Sequence, residues 1–439
     1  MRVLIIAAAA LGAVLFTATC YRPSISNCQY ECATGATPCP DGLSCNPDHY
    51  CVATKDVTMS CGQLVGDARP PAPDAPCLWS YLPSNLGSAH PDACSFGTST
   101  LSLEIGASTV TVDITGAIVT VTPSNAIPAS AFSTVAQSGG APDVVVLNLA
   151  ALTILQTGSL TIHGTLPLII LVSGTASIAG PVSFMASNTG VVLCSSGAIT
   201  DGQSVGFGAG AGGGGGGGGG YGEVGASGGG GSSSASGSAG GAPGMAGAMD
   251  SGTTLTPLRF GCPGGFGGRG GSMTAIFGGA GGGALQISAQ TRIEISGPIA
   301  ANGAGGKSLS TLNDGAGGGG TGGSILLEAP GIDFAPTGFL CANGGGGGAS
   351  GNGGTAGDNG FCNFNAAAGG TSTSTSASGT GGKGGAGSGN PAGAGTAGLS
   401  SGGGGGGGGG GVGRIRIRTH GPATGTSGLS SPPYAGDAL

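Results

Sequence analysis

The chain is short of charge: 7% of its 439 residues are Asp, Glu, Lys or Arg, against about 25% in ordinary globular domains. With 12 Lys+Arg, 19 Asp+Glu and a formal net charge of −7, it lacks the basic field that phosphate binding requires, which excludes nucleic acid as a partner. Aromatic residues make up 4% of the chain, with a single Trp, so stacking platforms are few. No sustained helical period is present. The most apolar stretch, residues 144–172, is interrupted by Gly158, His163, Gly164 and Pro167, and falls short of the roughly 18 uninterrupted apolar residues that suggest a membrane helix. No Cys-x-x-Cys pair occurs among the 13 cysteines and His49 stands alone, so neither a metal nor a cofactor is expected.

Glycine is abundant instead, with 104 residues and a run of ten at 402–411. Proline is scarce within the glycine tracts and no Gly-x-y period runs through them, which excludes a collagen triple helix. The shortage of charge separates them from charged disordered chains. Glycine loses more backbone entropy on ordering than any other residue. Such tracts are therefore either flexible connectors or a packed polyglycine structure, and flexible, uncharged loops are the expectation here.

Met1 and Arg2 precede an apolar segment, residues 3–16, that ends in LFTATC at Cys20. This reads as a signal peptide over residues 1–19, with Cys20 as the lipidated first residue of an exported protein. Thr17 and Thr19 depart from the usual residues of a lipoprotein cleavage site, and the alternative is simple secretion. Removing Cys20 leaves twelve cysteines, an even number suited to pairing in an oxidising compartment. They are Cys28, Cys32, Cys39, Cys45, Cys51, Cys61, Cys77, Cys94, Cys194, Cys262, Cys341 and Cys362.

Cys28, Cys32, Cys39, Cys45 and Cys51 crowd into residues 20–60, followed by Cys61, with few apolar neighbours, so disulfides must replace a core there. PCPDGLSCN followed by YCV resembles the short Cys-rich modules of exported myxobacterial-type surface lipoproteins. That resemblance implies an outer-membrane lipid anchor at the cell surface and no chemistry. Residues 61–97, with RPPAPDAPC, read as a Cys/Pro-rich spacer.

From residue 98 onward, β-branched and apolar runs of three to six residues alternate with Gly, Asn, Ser and Pro, the pattern of short strands. GGALQISAQTRIEISGPIAANGAGG from Gly282 aligns with GGSILLEAPGIDFAPTGFLCANGGGGG from Gly322, and LIILVSGTASIAGPVSFMASNTG is an earlier copy. Each copy holds three short strands and closes on an Asn, at Asn188, Asn302 and Asn343, where a left-handed bend is expected. Three strands per turn, repeated in phase, predict an all-β parallel β-helix over residues 98–420 with a tail at 421–439. In architecture the chain resembles the pectin-lyase-like β-helix superfamily, without any of its enzyme motifs. The glycine tracts at 190–282, 303–322 and 344–413 then become insertions at one repeated corner.

The register is specific. Leu285, Ile325 and Ile415 should form one inward column and Ile287, Leu327 and Ile417 a second, because a one-residue slip would bury Arg414, Arg416 and Arg418. Glu328 and Arg418 should then meet on an exposed outer face.

Apparent site motifs carry little. ANGAGGKS at 301–308 places Lys307 and Ser308 as a phosphate loop would, but no helix signal follows to hold an anion. Residues 353–361 half match a calcium-binding nonapeptide in one copy, and FGGRGG around Arg269 reads as linker. Glu294 in IEI and Asp333 in IDF are an outward carboxylate pair, so the enzymatic alternative is a polysaccharide lyase or glycoside hydrolase. No catalytic residue is assigned. The reading is a non-catalytic cell-surface lipoprotein, structural or adhesive, in contact with glycans or other surface proteins.

Overall fold

The computed structural model describes residues 39, 43–45, 51–53, 79–86, 96, 99–137, 141–187, 211–235, 239, 241–242, 244–249, 254–270, 276–308, 313–351, 353–373, 379–381, 391–399, 403–425 and 430–439. The chain is all-β, with one short 3-10 turn at Ala129–Ala131 among these residues. It divides into two units, Met1–Pro76 and Cys77–Leu439. In the first, β1 (Leu43–Cys45) pairs antiparallel with β2 (Cys51–Ala53), and a disulfide joins Cys39 to Cys51. Cys45 is also in a disulfide.

Among the described residues the second unit is built from three sheets. The first consists of β6 (Phe132–Val135), β7 (Val144–Leu149), β10 (Leu168–Val172), β13 (Ala284–Ala289), β16 (Ser324–Glu328), β19 (Arg414–Thr419) and β21 (Ala435–Ala438). β3 (Ser102–Ile105), β8 (Ala151–Ile154), β11 (Thr175–Ile178), β14 (Arg292–Ile295) and β17 (Gly331–Phe334) form the second. The third comprises β5 (Ile118–Thr122), β4 (Thr109–Thr115), β9 (Ser159–Gly164), β12 (Val182–Ala186), β15 (Pro298–Ala300), β18 (Phe339–Cys341) and β20 (Ser430–Ser431). All neighbours pair in parallel except β4 with β5 and β6 with β7, at the N-terminal end of their sheets. Successive trios β7–β8–β9, β10–β11–β12, β13–β14–β15 and β16–β17–β18 each add one strand to every sheet.

Side-chain alternation turns this pairing into apolar columns. Leu168, Leu285, Ile325 and Ile415 align in one, and Ile170, Ile287, Leu327 and Ile417 in the next. Leu152, Ala176, Ile293 and Ile332 align in the second sheet, and Leu160, Val182, Ile299 and Leu340 in the third. All are buried in one core cluster. The expected register of the three segments near 285, 325 and 415 is the register found. Every residue of β10, β13 and β16 is buried, so this part of the first sheet is covered on both faces. That explains why LPLIILV reads as a continuous apolar run instead of alternating.

The glycine tracts correct the expectation of flexible loops. In tract 313–323, Gly315, Gly318 and Thr321 donate backbone hydrogen bonds to Gly268, Gly265 and Cys262. The next set, Ala316, Gly319 and Gly322, donates to Gly405, Gly408 and Gly411, and the third, Gly317, Gly320 and Gly323, to Lys307, Ala304 and Ala301. A change of partner with every residue and a return every third residue is the signature of polyproline II helices, with three residues per turn, packed side by side. The same tract accepts bonds from Gly213, Gly216 and Gly219, from Gly279 and Gly282, and from Gly345 and Gly348. Six neighbours therefore surround one strand of polyglycine. The extended conformation leaves N–H and C=O groups pointing outward, and the neighbours satisfy them where water otherwise would.

Close approach explains the composition. A Cβ on Gly318 would overlap the carbonyl oxygen of Gly217, and one on Gly407 that of Gly317. Tracts 212–220, 315–320 and 403–411 are buried throughout. The second and third of these also run into the first sheet: Ser324 N donates to Gly283 O and Arg414 N to Gly323 O, both 2.9 Å, at the entry to β16 and β19.

The Asn corners are a second correction. Among the described non-glycine residues only Asn85 has a positive φ, 66°, so Asn302 and Asn343 are not left-handed. They stack instead, with Asn343 N donating to Asn302 Oδ1 at 2.8 Å and the Asn343 amide donating to the carbonyls of Phe361 and Asn363. Asn188 lies outside the described residues.

Candidate functional site

Two clusters of charged side chains stand out, one expected as found and one expected only in part. The expected one lies on the outward face of the second sheet, where the alternation of β14 and β17 exposes every second residue. Glu294 sits directly opposite Asp333 on the next strand. Arg292, two residues before Glu294 and on the same face, lies 3.6 Å from Glu294 and 3.2 Å from Asp333. Thr424 donates its hydroxyl to Asp333. One guanidinium thus serves both carboxylates, and all three side chains are 40–53% exposed.

The second cluster was expected only as its central pair, Glu328 with Arg418. Residues 79–86 lie across the outer face of β13, β16 and β19, so Glu328, expected on a solvated face, is completely buried. This is a correction of exposure, not of pairing: Arg418 reaches Glu328 at 2.9 Å, as the register requires. Burial of a carboxylate demands full satisfaction of its lone pairs. Glu328 accepts from Ser84 N, Ser84 Oγ, Gln286 Nε2, Ser288 Oγ and Arg418 Nη1 at 2.6–2.9 Å. The Tyr81 hydroxyl lies within hydrogen-bonding distance of the carbonyls of Ala289 and Glu328. Burial, then the Glu328 charge, push its pKa well above the usual phenol value. Tyr81 therefore remains a neutral donor. Beside this cluster Arg416 pairs with Asp437, and its pKa is lowered by burial and by the like charge of Arg418. A cavity of about 360 Å³ adjoins these pairs, lined by Arg416, Arg418 and Asp437 among others. Its cations already have carboxylate partners, so the cluster acts as a clamp between the 79–86 segment and the sheet.

The sequence-predicted residues fall as follows. Cys341 and Cys362 form a disulfide, and Cys262 is in one. Cys20, Cys28, Cys32, Cys61, Cys77, Cys94, Cys194 and His49 lie outside the described residues. Lys307 sits in an extended lattice tract, its N–H bonded to Phe277 O at 3.1 Å, and Ser308 Oγ donates to Gly354 O. Gly357 and Gly360, within the nonapeptide-like stretch, bond to Gly306 and Gly303 of the same tract. Among the described residues no group of three or more His, Cys, Asp or Glu could hold a metal ion, and no helix is long and apolar enough to cross a membrane.

The sequence shows the pairing of Glu328 with Arg418 and places Ser288 directly opposite Glu328; nothing local announces a cover from residues 79–86. No protein-family model, curated protein or solved structure matches the chain.

Proposed function

We propose that the chain is an exported, non-catalytic surface scaffold, structural or adhesive in role, in which a parallel β-helix and a polyglycine bundle form one stiff body. The three-sheet pairing, with one strand added to each sheet per round, supports the β-helix reading. The observation that carries the functional reading is the period-three hydrogen bonding of the glycine tracts and its continuation into β16 and β19. A chain that commits so many residues to backbone cross-linking gains rigidity and shape while keeping few side chains for chemistry. Arg292 between Glu294 and Asp333 favours a solvated ion-pair face over a catalytic pair. Disulfides at Cys39–Cys51 and Cys341–Cys362 suit an oxidising compartment, and the segment ending at Cys20 is the basis for placing a lipid anchor in the outer membrane.

The test uses protein isolated from its own cells. Intact-mass spectrometry should find an acylated Cys20 as the first residue, and the purified protein should adhere to cells or glycans while leaving polysaccharides uncut. An unmodified N-terminus elsewhere removes the anchor. Reproducible polysaccharide cleavage, lost on substitution of Glu294 and Asp333, replaces the scaffold with the lyase or hydrolase alternative.

A further inference from the structure

We infer that a cavity at the N-terminal end of the first sheet binds a neutral sugar ring of an uncharged glycan; the assignment rests on the surface-contact reading above and names its ligand class. The cavity measures about 620 Å³, within the roughly 300–1,000 Å³ typical of small-molecule sites. It opens where the segment leading into β3, the turn before β6, and β7 come together. At this end of the sheet β6 pairs antiparallel with β7.

Its chemistry is specific. Phe96 and Phe132, both half-buried and packed against the core, supply ring surface. Ser99, Ser130, Ser133 and Asn148 supply hydroxyl and amide groups, with Asn148 Nδ2 anchored on Phe96 O at 3.1 Å. Among the described residues that line it, none carries a charge. An ionic ligand would find no counter-charge and would lose its hydration. A wholly apolar ligand would strip water from the hydroxyls without replacing their hydrogen bonds. A pyranose meets both demands, laying a C–H face against a phenyl ring and turning its hydroxyls to Ser and Asn.

The experiment titrates the full-length protein with maltohexaose, cellohexaose and chitohexaose, with an oligogalacturonate as the charged comparison, by calorimetry. At least one neutral hexaose should bind and the oligogalacturonate should not. Ser130→Trp, at an exposed position on the cavity mouth, should weaken that binding by about tenfold or more, a change of about 1.4 kcal/mol, without moving the melting curve. Phe132→Leu, which keeps an apolar side chain and removes the ring, should weaken it as well. Failure of all neutral hexaoses to bind overturns the assignment, as does unchanged binding in both variants. If no hexaose binds but the wild type adheres to cells, the cavity assignment fails while the contact reading stands. If the cavity binds a hexaose but the protein does not adhere to cells, the contact reading fails and the cavity assignment stands.

Discussion

Glu328 and Arg418 face each other across adjacent parallel strands at 2.9 Å, and the carboxylate is completely shielded from solvent while the guanidinium keeps 28% of its side-chain exposure. The pair locks register between β16 and β19 and also fastens residues 81–85 to the sheet. Removing one member of a buried pair leaves an uncompensated charge and costs about 3–5 kcal/mol. Glu328→Ala should fall near the lower end, about 3 kcal/mol, because water reaches Arg418. Glu328→Gln should cost less, since Ser84, Gln286 and Ser288 can still bond an amide oxygen. Urea denaturation of both variants checks the order.

Tyr81 makes stability sensitive to alkali. Its folded-state pKa is raised by burial and by Glu328, whereas in the unfolded chain a Tyr ionises at about pH 10. Between those two values the folded state holds more protons, so stability is fully present below the unfolded value and falls as pH rises above it. Tyr81→Phe should lower stability at pH 8 by about 1–2 kcal/mol for the lost hydroxyl bonds and flatten the decline above pH 10. Melting temperatures at pH 8 and at pH 10.5 give the comparison.

Glycine substitutions should separate lattice from surface. Gly318→Ala and Gly407→Ala push a methyl group into a neighbouring backbone carbonyl, which has no rotamer to move. Each should destabilise by about 3 kcal/mol, the upper part of the usual overpacking range. Gly421 has open space around its Cβ position, so Gly421→Ala should be neutral or stabilise by up to about 1 kcal/mol. Equal effects at all three positions would count against close packing of the tracts.

The Cys341–Cys362 bridge ties the end of β18 to a glycine tract across a sequence separation of 21. Replacing both with Ser should cost about 3 kcal/mol by the loop-entropy argument. Comparing melting curves of the double variant and wild type, with the other disulfides intact, measures it.

Glu294→Gln with Asp333→Asn removes an exposed ion-pair surface. Stability should change by less than about 1 kcal/mol, and adhesion should persist. Loss of adhesion alongside an unchanged melting curve would make this face a contact surface in its own right.

The parallel register was legible because it is written in side chains. Ile415 and Ile417 between three arginines, offset against Leu285, Ile287, Ile325 and Leu327, admit one phase only. Two features were not legible. Residues 79–86 cover Glu328 from far away in the chain, with a sequence separation of 244 for the Ser84 contact, and no periodicity links segments so far apart. The glycine lattice has a period of three, but a run of identical residues without side chains shows no period at all. Asn302 and Asn343 were legible as corners, but not as a stacked pair joined by a side-chain amide, because turn propensity and ladder bonding select the same residue.

Amide hydrogen exchange across residues 212–220, 315–323 and 403–413 tests the packed polyglycine bundle most directly. If each tract is bonded to its neighbours as described, those amides should exchange far more slowly than in an unfolded glycine peptide, with protection comparable to β13 and β16. Exchange at the unfolded-peptide rate, while β13 and β16 remain protected, would contradict the account and return the tracts to flexible loops on a β scaffold.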